Sequence, residues 1–442
     1  MLNIKAQYHN LKNKLEDKLL KRIVKNSGVI LFGNSTAAGL GIISFTILAG
    51  QVGPESLAIL VLAQTYALII NDIFNIQTWE SMVKFGASEL KSERIKNVIK
   101  TNLILDFASA IIAFGFALML VKTVGRLLGW QSSFFPFLSL YSASILFNIT
   151  TLTIGIPRLF NKFASIAKIQ VVMAVIKLCA VLYAMASSST FTVYIYIYLV
   201  VDILTNLSLN IYSIRLLTQK YGRTWIREKI AFDKNQLKFI WWTNLRTIIR
   251  IPVRHLDMIV ISSVLSVKMV GIYKVYKEIA GLINRVGEPI NQSMFPEFTK
   301  LIGSNNLGDA AGITKKTMLI LLGVGSAVTL GLLLTSRFLV GTFFGEEYLQ
   351  EIYALYLMLF FFSMSFITVP INSLFIAAGF AKYSFMVLLF TNTIYLMTLF
   401  SLGKLIGIYG IIAAFALQLV LNKGLKVFLL KRYYHEWGTV IR

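Results

Sequence analysis

The chain has 442 residues, 56% of them hydrophobic, and a formal net charge of +23. Its mean hydropathy of +0.71 excludes a water-soluble globule and predicts an all-α polytopic membrane protein, because long apolar runs recur along the whole sequence. The basic residues lie in short loops between those runs rather than in a basic domain, which excludes a nucleic-acid partner. One cysteine, Cys179, and three histidines, His9, His255 and His435, argue against disulfides, a metal site or a cofactor.

Residues 1–27 carry seven Lys or Arg and place Leu11, Leu15, Leu19 and Ile23 at four-residue steps. That pattern suits a basic cytoplasmic amphipathic segment on anionic lipid headgroups, with a solvated tail as the alternative. The apolar run after Ser27 lacks a small-x-small cleavage site and is expected to remain as the first span.

Twelve spans follow: about 28–50, 57–76, 101–121, 134–156, 165–186, 191–214, 238–266, 270–295, 315–335, 352–377, 383–402 and 406–428. With residue 1 cytoplasmic, the inside segments hold 30 Lys or Arg and the outside segments five. The positive-inside rule then puts both termini in the cytoplasm.

The hydrophilic segment 215–237 divides the chain into a six-helix lobe at 28–214 and another at 238–428, followed by a cytoplasmic tail at 429–442. A faint repeat supports that division: VGPESLAILVLAQTY from Val52 and LSVKMVGIYKVYKEI from Leu265 each join two spans through a tight turn. Six spans return the chain to its starting side, so the lobes are expected to be parallel repeats about a pseudo-two-fold along the membrane normal. Gly33, Gly39 and Gly41 in the first span predict close helix packing.

The two central spans, 238–266 and 270–295, carry more ionisable residues than a bilayer tolerates. Arg246, Arg250 and Arg254 recur every four residues and form one helical stripe. With Trp241 and Trp242 as interfacial anchors, Arg254 lies roughly 18 Å inward at about 1.5 Å per residue. Such residues mark a substrate or ion path; snorkelling of Arg246 and Arg250, with Arg254 paired to Asp257 or Glu278, is the plainer reading. The next span adds Lys274, Lys277 and Arg285, and the interior is expected to be net positive and suited to an anion. Trp79, Trp130 and the tyrosines near 194–198 are expected to anchor at interfaces, with sugar stacking as the alternative.

The stretches KNSGVILFGN, GPESLAILVLAQ, QTWESMVKFGA, IPRLFNKFASIAKIQ, LSVKMVGIYKVYKEIAGL and MFPEFTKL resemble the polysaccharide or O-antigen flippases (Wzx-type). Their superfamily also contains the multidrug and toxin extrusion transporters and the lipid II flippases. Ala58 stands where those proteins usually have glycine. The resemblance implies alternating-access movement of an undecaprenyl-diphosphate-linked oligosaccharide to the outer leaflet, driven in some members by a proton or sodium gradient. Glycan polymerases would be its partners, and no catalytic residue is expected.

On the residues alone, guanidinium forks suit diphosphate oxygens. Arg246, Arg250 and Arg254 are therefore the expected ligands, with Lys274, Lys277 and Arg285 enlarging the field. Asp257 and Glu278 are candidate coupling or gating groups that would pair with the arginines when the cavity is empty, or else neutralise charge statically. The alternatives are a cation-coupled multidrug exporter on the same scaffold, a membrane-embedded polymerase, and a lipid II flippase. The exporter would want carboxylates and aromatics in its lumen. The polymerase would need a larger catalytic loop than about 336–351, and lipid II flippases resemble this fold with two extra spans.

Overall fold

Gly53 and Gly407 set the chain's plan. Both sit inside long helical runs with positive φ, 72° and 64°, where a residue without Cβ turns the chain at little cost. Pro54 follows the first turn and suits the start of a new helix. The computed structural model describes the backbone of residues 2–76, 78–88, 94–227, 233–251, 255–303 and 307–433. The side chains of residues 2–32, 34, 87–88, 224, 227, 246, 250, 285–293, 295–297, 299–300, 303, 307, 381 and 433 lie outside that description.

Among the described residues every regular element is helical. The chain runs through α1 (Leu2–Phe74), α2 (Trp79–Ser88), α3 (Arg94–Leu127), α4 (Phe135–Ser142), α5 (Ile156–Leu159), α6 (Phe163–Ala186), α7 (Phe191–Tyr221) and α8 (Thr224–Arg227). It continues through α9 (Lys234–Ile251), α10 (Asp257–Val264), α11 (Val267–Gly303), α12 (Leu307–Phe343), α13 (Ile352–Ile367), α14 (Val369–Ala377) and α15 (Ala381–Tyr433).

Seven of these stretches are long and apolar enough to cross a membrane, and residues 132–159 make an eighth, bent by 52°. The kinks at Gly53 and Gly407 double two of them, which accounts for ten of the twelve expected crossings. The other two expected crossings fall on α9 with α10 and on α11, which carry several charged residues among their apolar ones.

The contacts divide the chain into two compact units that are not consecutive halves. One comprises 1–45, 70–116 and 143–245; the other comprises 46–69, 117–142 and 246–442.

In the first unit, Met82, Ile99, Leu152, Ile156, Leu159 and Leu217 form a buried core. Gly33 lets α1 approach α6, since a Cβ there would lie 2.4 Å from that of Ala167, whereas Gly39 and Gly41 face open space. A polar lattice crosses this unit. The wholly buried Asp106 accepts from the Thr151 backbone N–H at 2.6 Å, the Thr78 hydroxyl at 2.9 Å and the Thr150 hydroxyl at 3.2 Å. Ser109 donates to Asn75 at 2.9 Å, and Asn75 to Asn71 at 2.9 Å. Lys177 pairs with Asp202 at 2.8 Å between α6 and α7.

In the second unit, the two turns related by the sequence repeat meet. A Cβ on Gly271 would lie 2.1 Å from the Pro54 carbonyl oxygen, and one on Gly50 would lie 2.7 Å from that of Phe343. Tyr348 donates to the Ala49 carbonyl at 3.2 Å, and Tyr276 donates to the Tyr348 carbonyl at 2.5 Å.

The tryptophans divide between two environments. Trp241 and Trp242 are exposed, as anchors should be. Trp130 is buried, with its indole N–H 2.8 Å from the Ser262 hydroxyl, and Trp79 lies under the Arg158 guanidinium at 4.6 Å. Tyr194 is also buried.

Lys423 and Lys426, both included in the count of 30 inside Lys or Arg, are part of α15. They reach the break between α13 and α14. Lys423 donates to the Thr368 carbonyl at 3.1 Å and Lys426 to the Asn372 side chain at 2.8 Å. Thr391, Asn392, Gln418 and Asn422 extend this polar seam between the two arms of α15.

Candidate functional site

Residues 273–281 of α11 repeat charge and small volume at three- and four-residue spacing. Lys274, Lys277, Glu278 and Gly281 therefore share a face. That face borders a cavity of about 320 Å³, also lined by Gln64 and Thr65 of α1, His255 just before α10, Met258 of α10, and Phe362 of α13. Gly281 has nothing within 4 Å of where a Cβ would stand, so its small size keeps the space open. Gln64 is oriented by an amide hydrogen bond to the Tyr141 hydroxyl at 2.9 Å.

Asp257, at the start of α10, is 2% exposed and anchors the charge pattern. One carboxylate oxygen accepts from the Met258 backbone N–H at 2.9 Å. The other accepts from the Tyr273 hydroxyl at 3.1 Å and from the Lys277 ammonium. On the same face Lys274 pairs with Glu278 at 2.7 Å.

The structure therefore brings together four of the eight residues singled out in the sequence: Lys274, Lys277, Asp257 and Glu278. Each of the two acids has a lysine partner among the described residues. Desolvation explains the pairing, because a lone charge in a poorly hydrated site is far more costly than a matched pair. Two lysines face two carboxylates, so these four side chains carry no net charge. The backbone of Arg246 and Arg250 lies on α9 and that of Arg285 on α11, but their side chains are outside the described residues, as is all of Arg254.

Tyr273 was not anticipated as a site residue. Its signal was available in the sequence, one turn before Lys277 on the same helix, but the partner across the turn was not. No group of three or more His, Cys, Asp or Glu among the described residues is arranged to hold a metal.

Comparisons with solved structures show that the fold is shared with known membrane proteins. An inward-facing multidrug resistance MATE family transporter of the MOP superfamily superposes with TM-score 0.73 at 15% identity, covering 91% of this chain and 95% of that one. The lipid II flippase MurJ in an inward closed conformation gives 0.70 at 16% identity, covering 91% and 87%. A MOP superfamily transporter from Pyrococcus furiosus, described as having a binding pocket of reverse polarity, gives 0.63 at 14% identity, covering 96% of each chain.

The chain belongs to the polysaccharide biosynthesis protein family, whose model matches residues 23–302. It is also 23% identical over 348 residues to the inner membrane protein YghQ of Escherichia coli K12, covering 77% of this chain and 98% of that protein.

Proposed function

We propose that the chain is a flippase, not an enzyme, that carries an undecaprenyl-diphosphate-linked oligosaccharide from the cytoplasmic to the outer leaflet of the inner membrane. Both of its termini would face the cytoplasm. The observation that carries this reading is the pair of lysines on the cavity face of α11, each held by a carboxylate.

A diphosphate entering the cavity competes with Asp257 and Glu278 for the two ammonium groups, and the arginines of α9 supply forks for the remaining oxygens. Binding then leaves two carboxylates without their cations in a site of low polarity, which favours their uptake of a proton or sodium ion. Release outside restores the lysine pairs. Capture, ion uptake and release are thereby linked through the same four side chains.

Family membership and the YghQ relative support a polysaccharide pathway in the inner membrane, with glycan polymerases as downstream partners. The MATE-like fold and the Glu278 carboxylate on the cavity wall favour a second reading, export of organic cations.

One experiment separates the two readings. The protein is removed from its host, inner-membrane lipids are extracted, and diphosphate-linked oligosaccharide with cytoplasmic sugar is quantified. Wild-type, Lys277→Ala and Arg254→Ala copies are then restored in parallel. Accumulation cleared by the wild type alone is the expected result. No accumulation, with unchanged surface glycan and altered sensitivity to cationic drugs, overturns the flippase reading in favour of the exporter.

A further inference from the structure

The second unit contains another opening with different chemistry. A cleft of about 320 Å³ lies between α12, the α13–α14 segment and the last turns of α15, and is walled by Met318, Leu322, Ile371, Leu374 and Val427, with Lys315 at one end. Thr314 is its other polar wall residue, and that hydroxyl is used internally, donating to the Ala310 carbonyl at 2.8 Å. Water needs two to four polar partners to occupy such a space, and these walls do not supply them.

The cleft opens toward lipid. α12 spans a membrane by length and composition, yet only 17% of its most apolar window is buried, and Leu319 and Leu322 are exposed along the cleft. Behind the opening, Phe298, Leu374, Phe375 and Leu430 form a packed core, so the floor is firm. In a bilayer the medium at this surface is hydrocarbon.

Lys315 adds direction. It lies in the polar opening of α12, followed at once by Lys316, while Leu322 is about 10 Å deeper along the helix axis at 1.5 Å per residue. The site is therefore cationic at its shallow end and apolar along its length, which is the complement of a lipid with an anionic headgroup.

We propose that this cleft binds an acyl chain of an anionic phospholipid, with the lipid phosphate at Lys315. The site is separate from the charged cavity. Phe362 faces the cavity and Ile367 the cleft, and five residues on a helix are about 140° apart. A substrate whose diphosphate sat at Lys277 would leave Lys315 unused, so the occupant brings its own phosphate. The inference does not depend on the flippase reading.

Native mass spectrometry of the full chain in detergent tests it, with phosphatidylglycerol, phosphatidylcholine and undecaprenyl phosphate added in turn. Wild type is expected to retain phosphatidylglycerol about fivefold more strongly than phosphatidylcholine, the gain expected for one lysine near an anionic headgroup. Lys315→Gln, a surface change that leaves the fold intact, should erase that preference. Met318→Trp, which fills the cleft, should reduce retention of both phospholipids, and Leu322→Trp repeats the test if Met318→Trp melts early. Equal retention of all three lipids, or adducts unchanged in Lys315→Gln and Met318→Trp, would overturn the proposal. Undecaprenyl phosphate displacing phosphatidylglycerol from wild type but not from Met318→Trp would overturn it too, by giving the cleft to a prenyl chain.

Discussion

Replacing Gly271 with alanine tests whether the two repeated turns seal one end of the molecule. The new Cβ would stand 2.1 Å from the Pro54 carbonyl oxygen and 2.8 Å from its carbon, both of them backbone atoms that no side-chain rotation can move. Relief therefore requires the turns to separate by more than an ångström. Overpacking of this kind costs about 1–3 kcal/mol. Alanine also gains about 1 kcal/mol of helix propensity over glycine, but Gly271 lies inside α11 whether or not the turns touch, so that gain cancels between the two arrangements. What remains shifts the balance toward separated turns by roughly 5- to 150-fold.

Ala49 reports that separation, because it is fully buried and its carbonyl accepts from Tyr348. In a Cys179→Ser background, Ala49→Cys should react slowly with a membrane-impermeant maleimide, and at least about fivefold faster when Gly271→Ala is added. Gly323→Ala, on a helix with nothing within 4 Å, serves as control and should change nothing. Equal labelling rates with and without Gly271→Ala, at equal protein abundance, would refute the assignment of the seal to this contact.

Lys277→Ala strands the 2%-exposed Asp257 carboxylate. The lysine is itself a quarter exposed, so the loss is set at the lower end for a buried pair, about 3 kcal/mol by unfolding in detergent, and Asp257→Asn added to it should recover most of that. Gly281→Trp fills the cavity from a position with nothing within 4 Å, so transport should stop while the melting temperature stays near that of wild type. Asp106→Ala leaves a backbone N–H and threonine hydroxyls buried without their acceptor, and should destabilise the protein by about 3 kcal/mol or more, whereas Asp106→Asn, which keeps one acceptor oxygen, should cost less.

What the sequence made readable follows from periodicity and local chemistry. The turns near Gly53 and Gly407 are marked by breaks between apolar runs, and the glycines that make them carry positive φ. Lys274, Lys277, Glu278 and Gly281 share a face by simple helical spacing. What could not be read is pairing across the fold. Asp257 and Lys277 are 20 residues apart on opposite sides of a turn, and the packing of α10 on α11 is what brings that lysine to that carboxylate. Asp106 is an acid inside an apolar run, but its partners Thr78, Thr150 and Thr151 come from segments with no sequence signal linking them. Lys423 and Lys426 were counted with the loop charges because proximity to a helix end does not distinguish a snorkelling lysine from a buried one. The available clue was the polar stripe of Gln418, Asn422 and Lys426 at four-residue steps.

That stripe gives the break between α13 and α14 a mechanical character. A helix interrupted next to a proline usually serves as a joint. Here Lys423 and Lys426 are fastened from α15 to both sides of it, at Thr368 and Asn372. Straightening the break would pull two ammonium groups off their acceptors inside an apolar bundle. The bend is thus braced, and α13, α14 and the last arm of α15 are fastened to one another through it.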